Sequence, residues 1–302
     1  MLIEELCLDI IESCRYDKLT QAEQDRLYTI LCHDIAMAAV GGKTDFARSL
    51  LDPNLLVEAG SLRGTGGRST YTLIGRDDRS LSFDMAAGYH SMAITATLRE
   101  DFVRGTHPGA ILFPLLIAQT DAFGMMLPEN DGQSHDGVRP LLDGAVVGLK
   151  LALLLSDVFG AKLADKGYRP TTAINVMAGV AGLGIAQGQT SELILGAMAT
   201  AAGMISGLAF PFQEGTEEWL VQVPLAVQAA LLASRNVAAQ SYRNRRFLGG
   251  GHSLGQFLGA PRETMQACPA CDLSLERIGV KRHPVNSFVQ PAVEAALRVP
   301  SH

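Results

Sequence analysis

Apolar residues recur every three or four positions along most of this chain, the spacing of one face of an α-helix. Leu2, Leu6, Ile10 and Ile11 form such a stripe over Leu2–Cys14. Thr20-Gln-Ala-Glu23 has the form of a capping box, in which hydroxyl and carboxylate reciprocally satisfy the first free backbone N–H groups. It predicts a helix through Ala39, stopped at Gly41-Gly42. Thr44–Leu51 reads as a short amphipathic helix closed by Asp52-Pro53. Between Leu62 and Arg79, Gly64, Gly66 and Gly67 with Tyr71-Thr-Leu-Ile74 predict a loop with one brief extended piece. Helices are then expected at roughly 80–97, 110–124, 142–164, 171–187, 190–209 and 216–240, with Thr190 as a cap. Gly124–Pro140 reads as a surface loop, Gly249-Gly-Gly251 as a flexible joint, and Phe288–Arg298 as a last helix.

Inside the helices small residues repeat at intervals of three and four (Gly179, Gly182, Ala186; Ala197, Ala201, Ala202), which lets neighbouring backbones approach closely. With hardly any strand signal, the pattern predicts an all-α, bundle-like fold, taken as a single helical domain over 1–302. The 302 residues, 47% of them hydrophobic, suffice for a substantial core. The longest apolar runs, Ala145–Phe159 and Ala173–Ala186, are interrupted by Lys150 or fall short of the about 20 residues a bilayer requires. They are expected to be buried helices of a soluble protein rather than membrane spans.

A net charge of −6 and the lack of a basic cluster argue against nucleic acid. Arg243-Asn-Arg-Arg246 is too small a knot to change that, and reads as a solvated helix end. No basic start, apolar run and small-residue cleavage site mark an export signal. Five cysteines, an odd number, then read as reduced thiols in a cytoplasmic setting. Cys268-Pro-Ala-Cys271 has the spacing of half a zinc site or a redox pair, but no second pair accompanies it, so no metal is expected. Gly64-Thr-Gly-Gly67 lacks both the preceding strand and the following lysine of a phosphate loop.

The chemistry concentrates between Phe83-Asp-Met-Ala-Ala-Gly-Tyr-His90 and Gly105-Thr-His-Pro-Gly-Ala-Ile-Leu-Phe-Pro114. A small-residue apolar helix runs into the polar connection Arg99-Glu-Asp-Phe-Val-Arg104, and His107 then stands before a helix opened by Pro108 and Gly109. A helix start offers unpaired N–H groups and the positive end of the dipole, which suits an anionic ligand and disfavours imidazolium. The plainer alternative is that Thr106 caps the helix and His107 is a surface residue.

The order of segments resembles the MmgE/PrpD family, which includes 2-methylcitrate dehydratase and cis-aconitate decarboxylase. The resemblance is carried by Leu31-Cys-His-Asp-Ile-Ala-Met-Ala-Ala-Val-Gly-Gly42, Ala86-Ala-Gly-Tyr-His90, Thr106-His-Pro-Gly-Ala110, Lys166-Gly-Tyr-Arg-Pro-Thr-Thr172, Glu214-Gly-Thr216, Val280-Lys-Arg-His-Pro284 and Gln290-Pro-Ala-Val-Glu-Ala295. It implies a large helical domain without the family's smaller α/β lid domain, a homodimer, and proton transfer next to a carboxylate with neither metal nor organic cofactor. His107 falls on the family's histidine before proline, Thr97 on its hydroxyl residue after an acidic pair, and Lys281 on its late lysine. Ala93, Thr95 and Ala96 stand where an acidic cluster is usual, and Arg169 where a histidine is. Trp219 and Gln222 replace a lysine and a histidine.

On this resemblance the chain is expected to be a lyase or isomerase acting on a small organic acid. His107, Lys281 and Tyr168 would be the catalytic groups, and Thr97, Arg169, His90, Trp219 and Gln222 would bind substrate. Two alternatives stay open. One is cyclisation or rearrangement of a larger, less charged metabolite in a cavity lined by Trp219, Phe212 and methionines (Met85, Met92, Met177, Met204), although core packing is the ordinary role of such methionines. The other is a non-catalytic helical scaffold presenting an apolar face to a partner.

Overall fold

A computed structural model describes residues 2–50, 71–75, 82–122, 138–240, 244–260 and 271–299. The Gly64-Thr-Gly-Gly67 run, most of the Leu62–Arg79 and Gly124–Pro140 segments, Arg243 and Cys268 lie outside them. The described residues form helices α1 (Ile3–Ser13), α2 (Gln21–Gly41), α3 (Asp45–Ser49), α4 (Phe83–Thr95), α5 (Gly109–Ala122), α6 (Arg139–Asp165), α7 (Pro170–Ala186), α8 (Ser191–Ala202), α9 (Phe210–Glu214), α10 (Trp219–Asn236), α11 (Leu254–Phe257) and α12 (Gln290–Leu297). The fold is all-α. Its described strands are β1 (Asp101–Phe102) and β2 (Gly279–Val280), paired antiparallel.

The capping box is present: Thr20 accepts from the Glu23 N–H, while the Glu23 carboxylate accepts from the Thr20 N–H. Thr190 caps α8 through the Leu193 N–H. Gly41 and Gly42 end α2 for a different reason from backbone freedom, since Gly42 keeps right-handed torsions. A Cβ on Gly41 would lie 1.8 Å from the Ala93 carbonyl oxygen, and one on Gly42 would lie 2.2 Å from the Tyr89 hydroxyl. The glycines let α2 press against α4, and alanine at either would force the helices apart.

α7 is the central helix, buried almost all round, with α5, α6, α8 and α10 packed against it. The small-residue spacing is used as expected. A Cβ on Gly144 of α6 would meet the Gly182 carbonyl oxygen at 2.4 Å, and one on Gly182 would meet that of Gly144 at 2.7 Å. Met92 and Met177 are core residues.

Several expectations require correction. Two helices, Arg139–Asp165 around the Ala145–Phe159 run and Trp219–Ala239, are long and apolar enough to cross a bilayer by length and composition, whereas Pro170–Ala186 is shorter, as expected of the Ala173–Ala186 run. In the first, 83% of the apolar window is buried inside the protein, and Lys150 pairs with Glu23 at 2.9 Å instead of interrupting the helix. The helix expected to reach 209 stops at Ala202, and the chain returns extended so that Leu208 bridges Tyr168. Gly249 is not a free joint, because the buried Glu4 carboxylate accepts from the Leu248 and Gly249 N–H groups. Cys271 is disulfide-bonded, so the five cysteines are not all reduced thiols.

Candidate active site

The polar connection after α4 becomes a hairpin. Val103 and Thr106 exchange backbone hydrogen bonds around Arg104 and Gly105, both with positive φ, the mirror-image two-residue turn that matches strand twist. The turn folds His107 back over β1, where its Nδ1 donates to the Asp101 carbonyl oxygen at 2.7 Å. A carbonyl only accepts, so Nδ1 carries the hydrogen and Nε2 keeps its lone pair in the neutral ring.

The His33-Asp34 pair of α2 clamps the same stretch. His33 Nε2 meets the Arg99 carbonyl oxygen at 2.5 Å, and Asp34 Oδ1 accepts from the Asp101 N–H at 3.1 Å. Asp101 in turn directs its carboxyl onto the start of α5, where both oxygens lie 3.0 Å from the Gly109 nitrogen. The helix N-terminus expected to receive an external anion is therefore occupied by the chain's own carboxyl.

Pairing of Asp101 with Val280 and of Phe102 with Gly279 places Lys281 opposite Glu100. Lys281 Nζ donates to Glu100 Oε1 at 2.7 Å, and both side chains are 1% exposed. His107 Nε2 lies 3.4 Å from the same oxygen, and Glu100 Oε2 has no partner among the described residues.

Arg169, the residue before α7, is held by a second extended contact in which its N–H donates to the Gly207 carbonyl oxygen at 2.9 Å. Gly207 has φ +90°, and a Cβ there would strike the Thr172 hydroxyl at 2.3 Å. The Arg169 side chain is buried and donates through Nη1 to the Trp219 carbonyl oxygen at 2.6 Å. Its guanidinium carbon stands 5.3 Å from the Phe212 ring centre and 5.5 Å from that of Trp219, and the two rings stack on each other.

Burial and charge tune these groups together. Burial would raise Glu100, but the positive charges of His107, when protonated, and of Lys281 outweigh it and hold the carboxyl below its usual range. Burial lowers His107 to about 4 even though Glu100 pulls it up, so near neutral pH the ring is uncharged and Lys281 is the charged partner facing Glu100. The imidazole is 14% exposed, which leaves its edge open to a ligand. Burial also lowers Arg169 to about 10, against the opposing pull of Glu100. Asp34 is raised well above the carboxylate range by burial and then by the charge of Asp101. Asp101 is raised to about 8 by burial, with Glu100 adding to the rise and the Gly109 N–H opposing it. Burial and neighbouring negative charge thus favour the protonated forms of the Asp34 and Asp101 carboxyls.

The structure brings His107 and Lys281 together on Glu100, whose charge also acts on Arg169. Arg169 gathers Trp219, and Gln222 joins that flank by donating to the Leu208 carbonyl oxygen at 2.9 Å. The remaining candidates make other contacts. Tyr168 packs edge-on against Phe257, Thr97 turns its hydroxyl to the Met37 sulfur, and His90, fully buried, accepts from the Ile74 N–H at 3.0 Å. Burial lowers His90 to about 4. Arg169 and Lys281, the two cations of the site, are both buried.

Sequence reasoning missed Asp34, Glu100 and Asp101. The replaced acidic cluster at 93–96 suggested a site stripped of carboxyls, yet three buried ones surround it. Glu100 and Asp101 were visible as an acidic pair before a histidine, but only the ribbon register shows which one meets Lys281. The family model of the MmgE/PrpD N-terminal domain matches residues 7–245, a stretch that includes Glu100, His107 and Arg169. Lys281 lies beyond it and reaches the site through β2. No curated protein matches the sequence.

Proposed function

The chain belongs to the MmgE/PrpD family of dehydratase and lyase-type enzymes, and on that premise we propose that it is a lyase or isomerase moving a proton at the carbon next to a carboxylate. The observation that carries this reading is the meeting of an uncharged imidazole and an ammonium on one buried carboxylate, whose charge also acts on a buried guanidinium. Arg169 would grip the substrate carboxylate, since its planar fork matches two oxygens. His107 Nε2 would take the proton from the adjacent carbon. Glu100, 3.4 Å away, would stabilise the imidazolium so formed. The Lys281 ammonium would face the negative charge that builds on the substrate. Return of the proton to carbon gives isomerisation. Loss of a neighbouring hydroxyl, taking a proton from Lys281 to leave as water, gives dehydration. The stacked Phe212–Trp219 pair supports a second reading, rearrangement of a larger, less charged metabolite, but the buried ions are more than a purely shape-driven reaction requires.

Hydrogen exchange tests this whichever product forms. Hydroxy- and unsaturated carboxylic acids are incubated with the protein in D2O, and loss of the signal of the hydrogen next to the carboxylate is followed by proton NMR. Exchange in at least one acid, slowed about 10²–10⁴-fold by His107→Gln, is the expected result. No exchange in any acid, or equal exchange by the variant, overturns the proposal.

A further inference from the structure

The guanidinium of Arg169 has five N–H donors, of which one, on Nη1, bonds to the Trp219 carbonyl oxygen among the described residues, although the residue is only 4% exposed. Its other N–H groups bond to no described residue and are free to take a ligand. On the same flank Gln222 Oε1 is buried and without a partner among the described residues. On the other side of the guanidinium the surface is apolar instead of ionic. Phe212 is 44% exposed, Leu208, bridged to Tyr168, 49%, and Phe257, edge-on to Tyr168, 56%. Trp219, half-buried, stacks on Phe212 at 5.7 Å between ring centres.

From this juxtaposition we infer that Arg169 and the Phe212–Trp219 pair form one bipartite site for a monocarboxylate with an apolar or aromatic arm. The inference rests on the organic-acid reading above and narrows its substrate class. The carboxylate takes the free donors of Arg169, and the arm lies along the two rings toward Leu208. A second and third carboxylate would find no cation there among the described residues, because the guanidinium's neighbours on that flank are Phe212, Trp219, Leu208 and Gln222. Stacking against the rings also fixes the plane of the guanidinium, and with it the plane in which a bound carboxylate lies.

Trp219 is the only tryptophan, so its fluorescence reads the site directly. Titrations use acetate, butyrate, hexanoate, octanoate and 4-phenylbutyrate, with succinate and citrate as polycarboxylates and octanamide as the uncharged control. Affinity is expected to rise about two- to fourfold per methylene, the range between partial and full burial of a CH2. Octanoate should bind at least tenfold more tightly than octanamide. Phe212→Ala should flatten the dependence on chain length while acetate binding is kept, and Arg169→Gln should erase the preference for acid over amide. If Arg169→Gln does not fold, the octanoate and octanamide comparison in the native protein decides the charge alone. Acids that bind with no dependence on chain length, or citrate binding more tightly than octanoate, overturn this inference and leave the proton-transfer reading standing. Equal binding of octanoate and octanamide overturns it by showing an apolar surface only. A Trp219 signal that changes on dilution without ligand, and not with any acid, shows a second copy covering the rings and also overturns it. Proton exchange with no acid sensed by Trp219 sinks this site alone, whereas failure of both experiments sinks the shared reading.

Discussion

Lys281 and Glu100 face each other across a two-stranded ribbon, ammonium 2.7 Å from carboxylate, in a place where each is 1% exposed. Removing one partner strands the other as an uncompensated buried charge, whereas removing both leaves a neutral pair. Lys281→Met is expected to destabilise the fold by about 3–5 kcal/mol in urea unfolding. Adding Glu100→Gln to it should recover more than half of that loss. Additive effects of the two changes would mean that the residues do not meet.

Asp101 and Asp34 give the stability a pH dependence of unusual sign. An aspartate in an unfolded chain titrates near ~3.9, but Asp101 in the fold is raised to about 8 and Asp34 is raised as well. Folding therefore retains protons that the unfolded chain releases. The contribution is complete below pH ~4 and is lost as the pH climbs through about 8. Asp101→Asn imitates the protonated side chain at all pH values. It should match the native protein at pH 5 and exceed its melting temperature at pH 9. A variant less stable than the native protein at pH 9 contradicts a protonated Asp101.

The buried histidines act in the opposite direction. His90 and His107 are lowered to about 4, from the ~6.5 of an unfolded chain. Their contribution is full above pH ~6.5 and lost as the pH falls through about 4. His90→Gln, which keeps an acceptor for the Ile74 N–H, should show a smaller loss of melting temperature between pH 7 and pH 4.5 than the native protein. An unchanged loss would show that His90 titrates normally.

Gly109 is glycine because of Asp34. A Cβ at this position would lie 1.9 Å from Asp34 Oδ2 and 2.9 Å from the Phe113 ring. Gly109→Ala is expected to cost about 1–3 kcal/mol through overpacking. Asp34→Ala in the same chain should return part of that, which a double-mutant cycle in urea would register as a coupling above about 0.5 kcal/mol.

These cases show what the sequence could and could not disclose. The helices were legible because the apolar spacing is regular and Thr20 and Thr190 mark their starts. His107, Arg169 and Lys281 were legible from the family resemblance. The partners that tune them were not, for a physical reason: Glu100 meets Lys281 only through a strand register between residues 181 positions apart. The two-residue strands that set this register are too short to produce an alternating pattern. The tight turn at Arg104-Gly105 also lacks the Asn-Gly or Asp-Gly signal of such hairpins. Asp34 sits on a helix whose apolar face masks it, and its role becomes visible only when Asp101 and Gly109 are brought against it.

The most direct test of this acid–base cluster is the ¹⁵N NMR titration of the His107 ring. The arrangement predicts a neutral imidazole at pH 7 with hydrogen on Nδ1 and a bare Nε2, titrating at about 4. It also predicts a further drop when Glu100→Gln removes the negative charge that supports the imidazolium. A midpoint near ~6.5, a hydrogen on Nε2 at neutral pH, or indifference to Glu100→Gln would contradict it.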